Sequence, residues 1–133
     1  MDSLLPLLLL LSFTSIAGFI YRAKKGVIKK AKRLKISEKE IGSSYGDRLT
    51  ILQFSTTFCS ECRSAKAMVK SVVADMKGVS YIEIDAESNL DLVRRVDIRS
   101  TPTTIFLDSK GFEIARAKGA PKRDQLIKAI RAI

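Results

Sequence analysis

The apolar positions of this chain fall first in one unbroken run and then in short groups with regular spacing. Ser3 to Tyr21 is 19 residues without a charge and contains Leu7 to Leu11 in succession. As a helix it would be about 28 Å long at 1.5 Å per residue, which matches the hydrocarbon thickness of a bilayer. Pro6 falls in its first turn, where a missing N–H is tolerated. Beyond Tyr21 the apolar residues Val27, Ile28, Ala31 and Leu34 alternate with lysines and arginines. They fit either one face of a basic amphipathic helix or a solvated spacer. From residue 37 the pattern becomes that of a folded domain. Ser37 to Glu40 has the S-x-x-E form of a capping box and predicts a short helix from Glu38 to about Ser43.

Leu49 to Phe54 reads as a buried strand. Ala65, Met68, Val69, Val72, Val73 and Met76 recur at spacings of three and four, and Lys77-Gly78 ends that helix. Val79 to Asp85 is a second strand. Ser88 or Asn89 caps a helix carrying Leu92, Val93 and Val96. Thr103 to Leu107 is a third strand, Asp108 to Gly111 a hairpin turn, and Phe112 to Ala117 a fourth strand. A last helix runs from Pro121 to about Ala132. The order β-α-β-α-β-β-α predicts an α/β domain with a parallel pair early, an antiparallel pair late, and a mixed four-stranded sheet with helices on both faces. Three regions follow: 1–21 a transmembrane anchor, 22–36 a basic juxtamembrane linker, and 37–133 the folded domain.

Charge sharpens this division. The 133 residues carry 24 Lys and Arg against 14 Asp and Glu, a formal charge of +10. Residues 1–36 hold eight basic residues and one acid, a net +7, and residues 37–133 hold 16 and 13, a net +3. The excess is therefore a belt behind the apolar run, not a nucleic-acid footprint on the domain. Lys and Arg lie only on the C-terminal side of the run, which predicts the N-terminus outside and the domain in the cytoplasm. The competing reading is a signal peptide cleaved after Ala17, which would place the domain outside the cytoplasm. Against it, the run lacks a positive n-region and is followed directly by the basic belt.

Composition also limits the chemistry. There is no His and there are only two Cys. Ser-His-Asp and Cys-His catalysis are excluded, and so is a disulfide-stapled scaffold. The C-x-x-C could supply half a zinc site, but the chain has no further Cys or His to complete it. The two cysteines form Cys59-Ser60-Glu61-Cys62 at the junction of a strand and a helix. A cysteine at a helix start has its thiolate stabilised by free backbone N–H groups and the helix dipole. The second, one turn on, is close enough to form a disulfide. Two-step exchange follows: Cys59 attacks a substrate disulfide and Cys62 resolves the mixed disulfide.

The stretches Phe54-Ser55-Thr56-Thr57-Phe58-Cys59-Ser60-Glu61-Cys62-Arg63 and Ile98-Arg99-Ser100-Thr101-Pro102-Thr103, with Pro102 40 residues after Cys62, resemble the thioredoxin family. Gly111 and Gly119 fit its hairpin turn and the glycine before its last helix. The resemblance covers residues 46–133 and implies a thioredoxin-like fold. It also implies a cis peptide at Pro102 opposite the cysteines and a substrate strand paired with the backbone of Thr101, with Phe58 as a neighbouring wall. It implies no cofactor other than the Cys59–Cys62 disulfide, and no metal. Four departures stand out. Phe58 replaces the usual Trp. Ser60-Glu61 replaces Gly-Pro, and the Glu61 carboxylate opposes thiolate formation at Cys59. Gln53 and Tyr81 replace a buried acid–base pair whose carboxylate is the family's proposed proton acceptor. The family's first strand and helix shrink to Leu34–Ser44.

The expected function is a membrane-anchored, monomeric thiol–disulfide oxidoreductase that reduces protein disulfides and is itself reduced by a thiol donor. Its catalytic residues would be Cys59 and Cys62, its substrate-binding residues Phe58, Thr101 and Pro102, and its redox-tuning residues Ser60 and Glu61. The loss of the acid–base pair motivates an alternative, a non-catalytic docking module at the membrane. Cleavage after Ala17 would instead give a secreted thiol enzyme.

Overall fold

The computed structural model describes residues 4–31 and 33–133. Asp2, Ser3 and Lys32, which entered the charge count or the apolar span, lie outside the described residues. The first element, α1 (Leu4–Lys24), is long and apolar enough to cross a membrane, with a mean hydropathy of 2.1 and no buried residue. Gly26, at a left-handed φ of 76°, turns the chain out of it. After β1 (Ile28–Lys30) come α2 (Glu38–Ile41), β2 (Leu49–Ser55), α3 (Ser60–Val73), β3 (Val79–Asp85), α4 (Leu90–Arg95), β4 (Thr103–Asp108), β5 (Glu113–Lys118) and α5 (Arg123–Arg131).

The mixed α/β sheet has the order β1-β5-β4-β2-β3. Strands β2 and β3 run parallel, and β2–β4, β4–β5 and β1–β5 antiparallel. Among the described residues it therefore contains five strands, one more than the apolar pattern predicts. The additional strand comes from the basic segment, where neither the amphipathic helix nor the spacer forms: Ile28 faces Ala117, Lys29 faces Arg116 and Lys30 faces Ala115. Without it, β5 would leave a row of backbone donors and acceptors unpaired at the sheet edge. Its exposed lysines in turn make β1 a typical edge strand. The segment stays attached as far as Ile36, which is fully buried, through the Lys35–Phe112 bridge.

Strand β2 is buried at every residue because both faces are covered. Leu49 and Ile51 join Val69, Val72, Phe106, Leu126 and Ile130 on the α3/α5 face. Leu52 and Phe54 join Ile36, Ile84, Leu92, Val96, Ile105 and Leu107 on the other. The period of two thus places Gln53 on the α3 side, below the cysteines. α2 begins with a complete capping box: the Ser37 side chain accepts from the Glu40 amide while the Glu40 carboxylate accepts from the Ser37 amide.

Gly111 closes the β4–β5 turn at φ 84°, and a Cβ there would collide with the Tyr45 hydroxyl, which itself donates to the Ile36 carbonyl at 2.7 Å. Gly111→Ala is expected to lower stability by about 2 kcal/mol or more, through left-handed strain plus loss of the Tyr45 contact. Thermal unfolding of the full chain in detergent checks this; an unchanged midpoint would refute it.

Candidate active site

Three loops at the C-terminal end of β2 come together at the site. The first is the turn from β2 into α3. Cys59 is the N-cap of α3, in an extended conformation (φ −94°, ψ 101°), and its Sγ accepts from the Cys62 amide at 3.1 Å. The sulfur thus occupies the position of a capping oxygen, facing the unpaired N–H groups of the first turn. Those groups and the positive end of the helix dipole favour a thiolate there. Cys59 and Cys62 are joined in a disulfide with Cα atoms 5.2 Å apart. Their exposures differ: Cys59 is half-buried, whereas Cys62, in the first turn of α3, is only 2% exposed. Phe58 projects into solvent, 94% exposed.

The second loop precedes β4. The Thr101–Pro102 peptide is cis, Pro102 is buried, and the Thr103 hydroxyl donates to the Ser100 carbonyl at 2.7 Å. The third is the turn after β5. The Gly119 amide donates to the Pro102 carbonyl at 2.7 Å, and the Ala120 amide to Glu61 Oε1 at 3.4 Å. This turn links the proline loop to the first turn of α3. It brings Glu61, Pro102 and the cysteine pair into one site, with Phe58 and Thr101 in the same loops and Ser60 exposed on the first turn of α3.

Below the disulfide, Gln53 is fully buried. Its Nε2 donates to the Cys62 carbonyl at 2.9 Å and to Ser55 Oγ at 3.0 Å, while its Oε1 accepts from the Tyr81 hydroxyl at 3.1 Å. The sequence marks Gln53 only as a departure from the family's acid–base pair; in the structure it is the link between β2 and the backbone of Cys62. Burial, and then the Glu83 charge, push the Tyr81 phenol well above its ordinary range, so it stays neutral. The Gln53–Tyr81 pair is therefore uncharged, with each of its side-chain N–H and O–H groups hydrogen-bonded, and it offers no carboxylate to take a proton from Cys62.

Lys25 is absent from the residues singled out in the sequence, yet its ammonium lies 2.7 Å from Glu61 Oε2. Hydrogen bonding from Lys25 holds the Glu61 carboxyl below its ordinary range, against the opposing effect of its partial burial, with help from the Ala120 amide. The two residues are 36 positions apart, so no local spacing signals the contact. Among the described residues no cluster of His, Cys, Asp or Glu is arranged to hold a metal.

Comparison with known proteins agrees with this arrangement. The thioredoxin family model matches residues 34–132. Thioredoxin of Pongo abelii is 29% identical over 77 residues, covering 58% of this chain and 73% of that protein. Thioredoxin-2 of Saccharomyces cerevisiae is 26% identical over 84 residues, covering 63% and 80%. The crystal structure of a thioredoxin from Nicotiana alata superposes with a TM-score of 0.58 at 27% identity, covering 65% of this chain and 73% of that one. With the family model matched over about three quarters of its length and a Cys59–Cys62 pair at the start of α3, the chain belongs to the thioredoxin family and is a thiol–disulfide oxidoreductase.

Proposed function

We propose that this protein is a membrane-anchored reductase of protein disulfides, with Cys59 as nucleophile and Cys62 as resolving thiol. The observation that carries the reading is the unequal placement of the two sulfurs: Cys59 at the N-cap and half-exposed, Cys62 buried one turn below. In the dithiol form the Cys59 thiolate attacks a substrate disulfide and releases one substrate thiolate. Cys62 then attacks Cys59 Sγ and releases the second. Two electrons pass to the substrate, the Cys59–Cys62 disulfide is left, and a thiol donor supplying two electrons must reduce it again. Phe58 offers an apolar wall and Thr101 and Pro102 a backbone edge for an extended substrate segment. Ser60 and Glu61 sit where they bear on the thiolate.

Anchoring rests on the length and hydropathy of α1, and the cytoplasmic orientation on the basic residues that follow it. A cavity of about 550 Å³ beside the end of α1 is lined by Lys24, Lys29, Lys30, Arg95, Arg116 and Lys118, against two acids, Asp97 and Glu113. A cationic surface at that position suits an anionic bilayer.

Two measurements on the full chain test the reading. Alkaline carbonate should leave the protein in the membrane fraction, with a C-terminal reporter active on the cytoplasmic side; release by carbonate would overturn the anchor. The Cys59–Cys62 reduction potential should fall below about −200 mV; a value well above it would indicate an oxidant.

A further inference from the structure

We propose that Lys25, the first residue after α1, is a positioning residue of the redox site: it holds and neutralises the Glu61 carboxylate between the cysteines, so that this acid no longer opposes the Cys59 thiolate. The inference rests on Cys59 being the nucleophile, as proposed above.

Lys25 is not a free surface cation. Its neighbour Gly26 donates its amide to the Lys118 carbonyl at 2.6 Å, in a left-handed conformation where any Cβ would strike the Ala120 carbonyl. The Lys25 side chain lies across Gly119, whose Cβ, if present, would be 2.7 Å from Lys25 Cγ. Its ammonium then reaches Glu61 Oε2 at 2.7 Å, while the other carboxylate oxygen accepts from Ala120. Glu61 is thus held from two sides, by the segment leaving α1 and by the turn that also anchors Pro102. Lys25 precedes residue 34, where the family match begins, so the cation of this contact lies outside the part of the chain covered by the family model, while Glu61 lies within it.

As a contribution to stability the pair is small, because its side chains are 44% and 38% exposed. Its effect falls on ionisation. Glu61 is two residues from Cys59 in the first turn of α3, and a bare carboxylate there raises the thiol's pKa. Among the nearby charges, Asp97 and Arg99 in the loop before Pro102 pair with each other at 2.8 Å, Lys118 at the end of β5 acts on Asp97, and Arg63 follows Cys62 on α3. Among the described residues, Lys25 is the cation in contact with Glu61.

The test uses the full-length chain in detergent with Cys62→Ser, so that only Cys59 reacts, and follows iodoacetamide alkylation against pH. Lys25→Gln should move the midpoint up by about half a unit, slowing alkylation at pH 7 about threefold. The shift should shrink in 1 M salt, where the screening length is about 3 Å. Lys25→Arg should retain the parent profile. In a Glu61→Gln background Lys25→Gln should have no effect, because the charge it answers is gone. Superimposable profiles for Lys25→Gln and the parent would overturn the proposal. So would an equal slowing in the Glu61→Gln background, which would mark a merely structural contact. If Cys59 in the parent shows no alkylation at any pH, the nucleophile assignment itself fails and the inference with it.

Discussion

Cys59→Ser is expected to abolish disulfide reduction, with a loss of more than about a thousandfold, because a hydroxyl at that position cannot form the mixed disulfide. Cys62→Ser should behave differently. Its Cys59 thiolate still attacks, but the mixed disulfide has no internal thiol to displace it and accumulates. The geometry sets this asymmetry. Cys59 Sγ sits on the free amides of the first turn of α3, whereas Cys62 is almost fully buried and its carbonyl is engaged by Gln53. Turnover of a model protein disulfide measures the first effect. Mass spectrometry of trapped adducts from cells expressing Cys62→Ser measures the second and identifies the substrates. Substantial turnover by Cys59→Ser, or adducts carried on Cys62 in that variant, would reverse the assignment. Unchanged cellular function in Cys59→Ser would favour the docking reading over catalysis.

The parts of this molecule that were legible in the sequence are those where a local rule operates. The strands Leu49–Ser55, Val79–Asp85 and Thr103–Asp108 follow from apolar runs bounded by turns, and the capping box at Ser37 from its spacing. Cys59-x-x-Cys62 is legible because a helix places residues three apart on one side of a turn. What was not legible depends on partners far along the chain. Strand β1 is three residues long, and two of them are lysines; it exists because β5 needs an edge, which no pattern in residues 28–30 announces. The Lys25–Glu61 contact joins a basic belt to an active-site loop, and the belt supplies eight candidates with nothing local to choose among them. Gln53 is the intermediate case. Its departure from the family pattern was visible, but its hydrogen bonds to Cys62 and Tyr81 required the register of β2 against β3 and the position of α3.

Gln53→Glu separates a neutral polar link from the buried acid that the family pattern would place there. At pH 4 the introduced side chain is protonated and can still donate to the Cys62 carbonyl and accept from Tyr81, losing only the bond to Ser55. The expected cost there is about 1 kcal/mol. Burial raises the carboxyl pKa in the folded state above its unfolded value of about 4.3. A group raised in this way keeps its folded-state advantage below the unfolded pKa and loses it as pH rises through the folded one. Stability relative to the parent should therefore fall steadily above about pH 4.3. A shift of three units would amount to about 4 kcal/mol by pH 8. Gln53→Leu should instead lose about 2–3 kcal/mol at every pH, since it leaves the Cys62 carbonyl and the Tyr81 hydroxyl unpaired without adding a charge. Urea unfolding of both full-length variants at pH 4, 6 and 8 distinguishes the two slopes. A pH-independent loss for Gln53→Glu would mean that water reaches position 53. The same experiment bears on catalysis. If ionising a carboxylate at this depth unfolds the protein, the neutral Gln53–Tyr81 pair keeps the Cys62 backbone fixed at every working pH, and the proton that Cys62 gives up must leave towards solvent or Glu61.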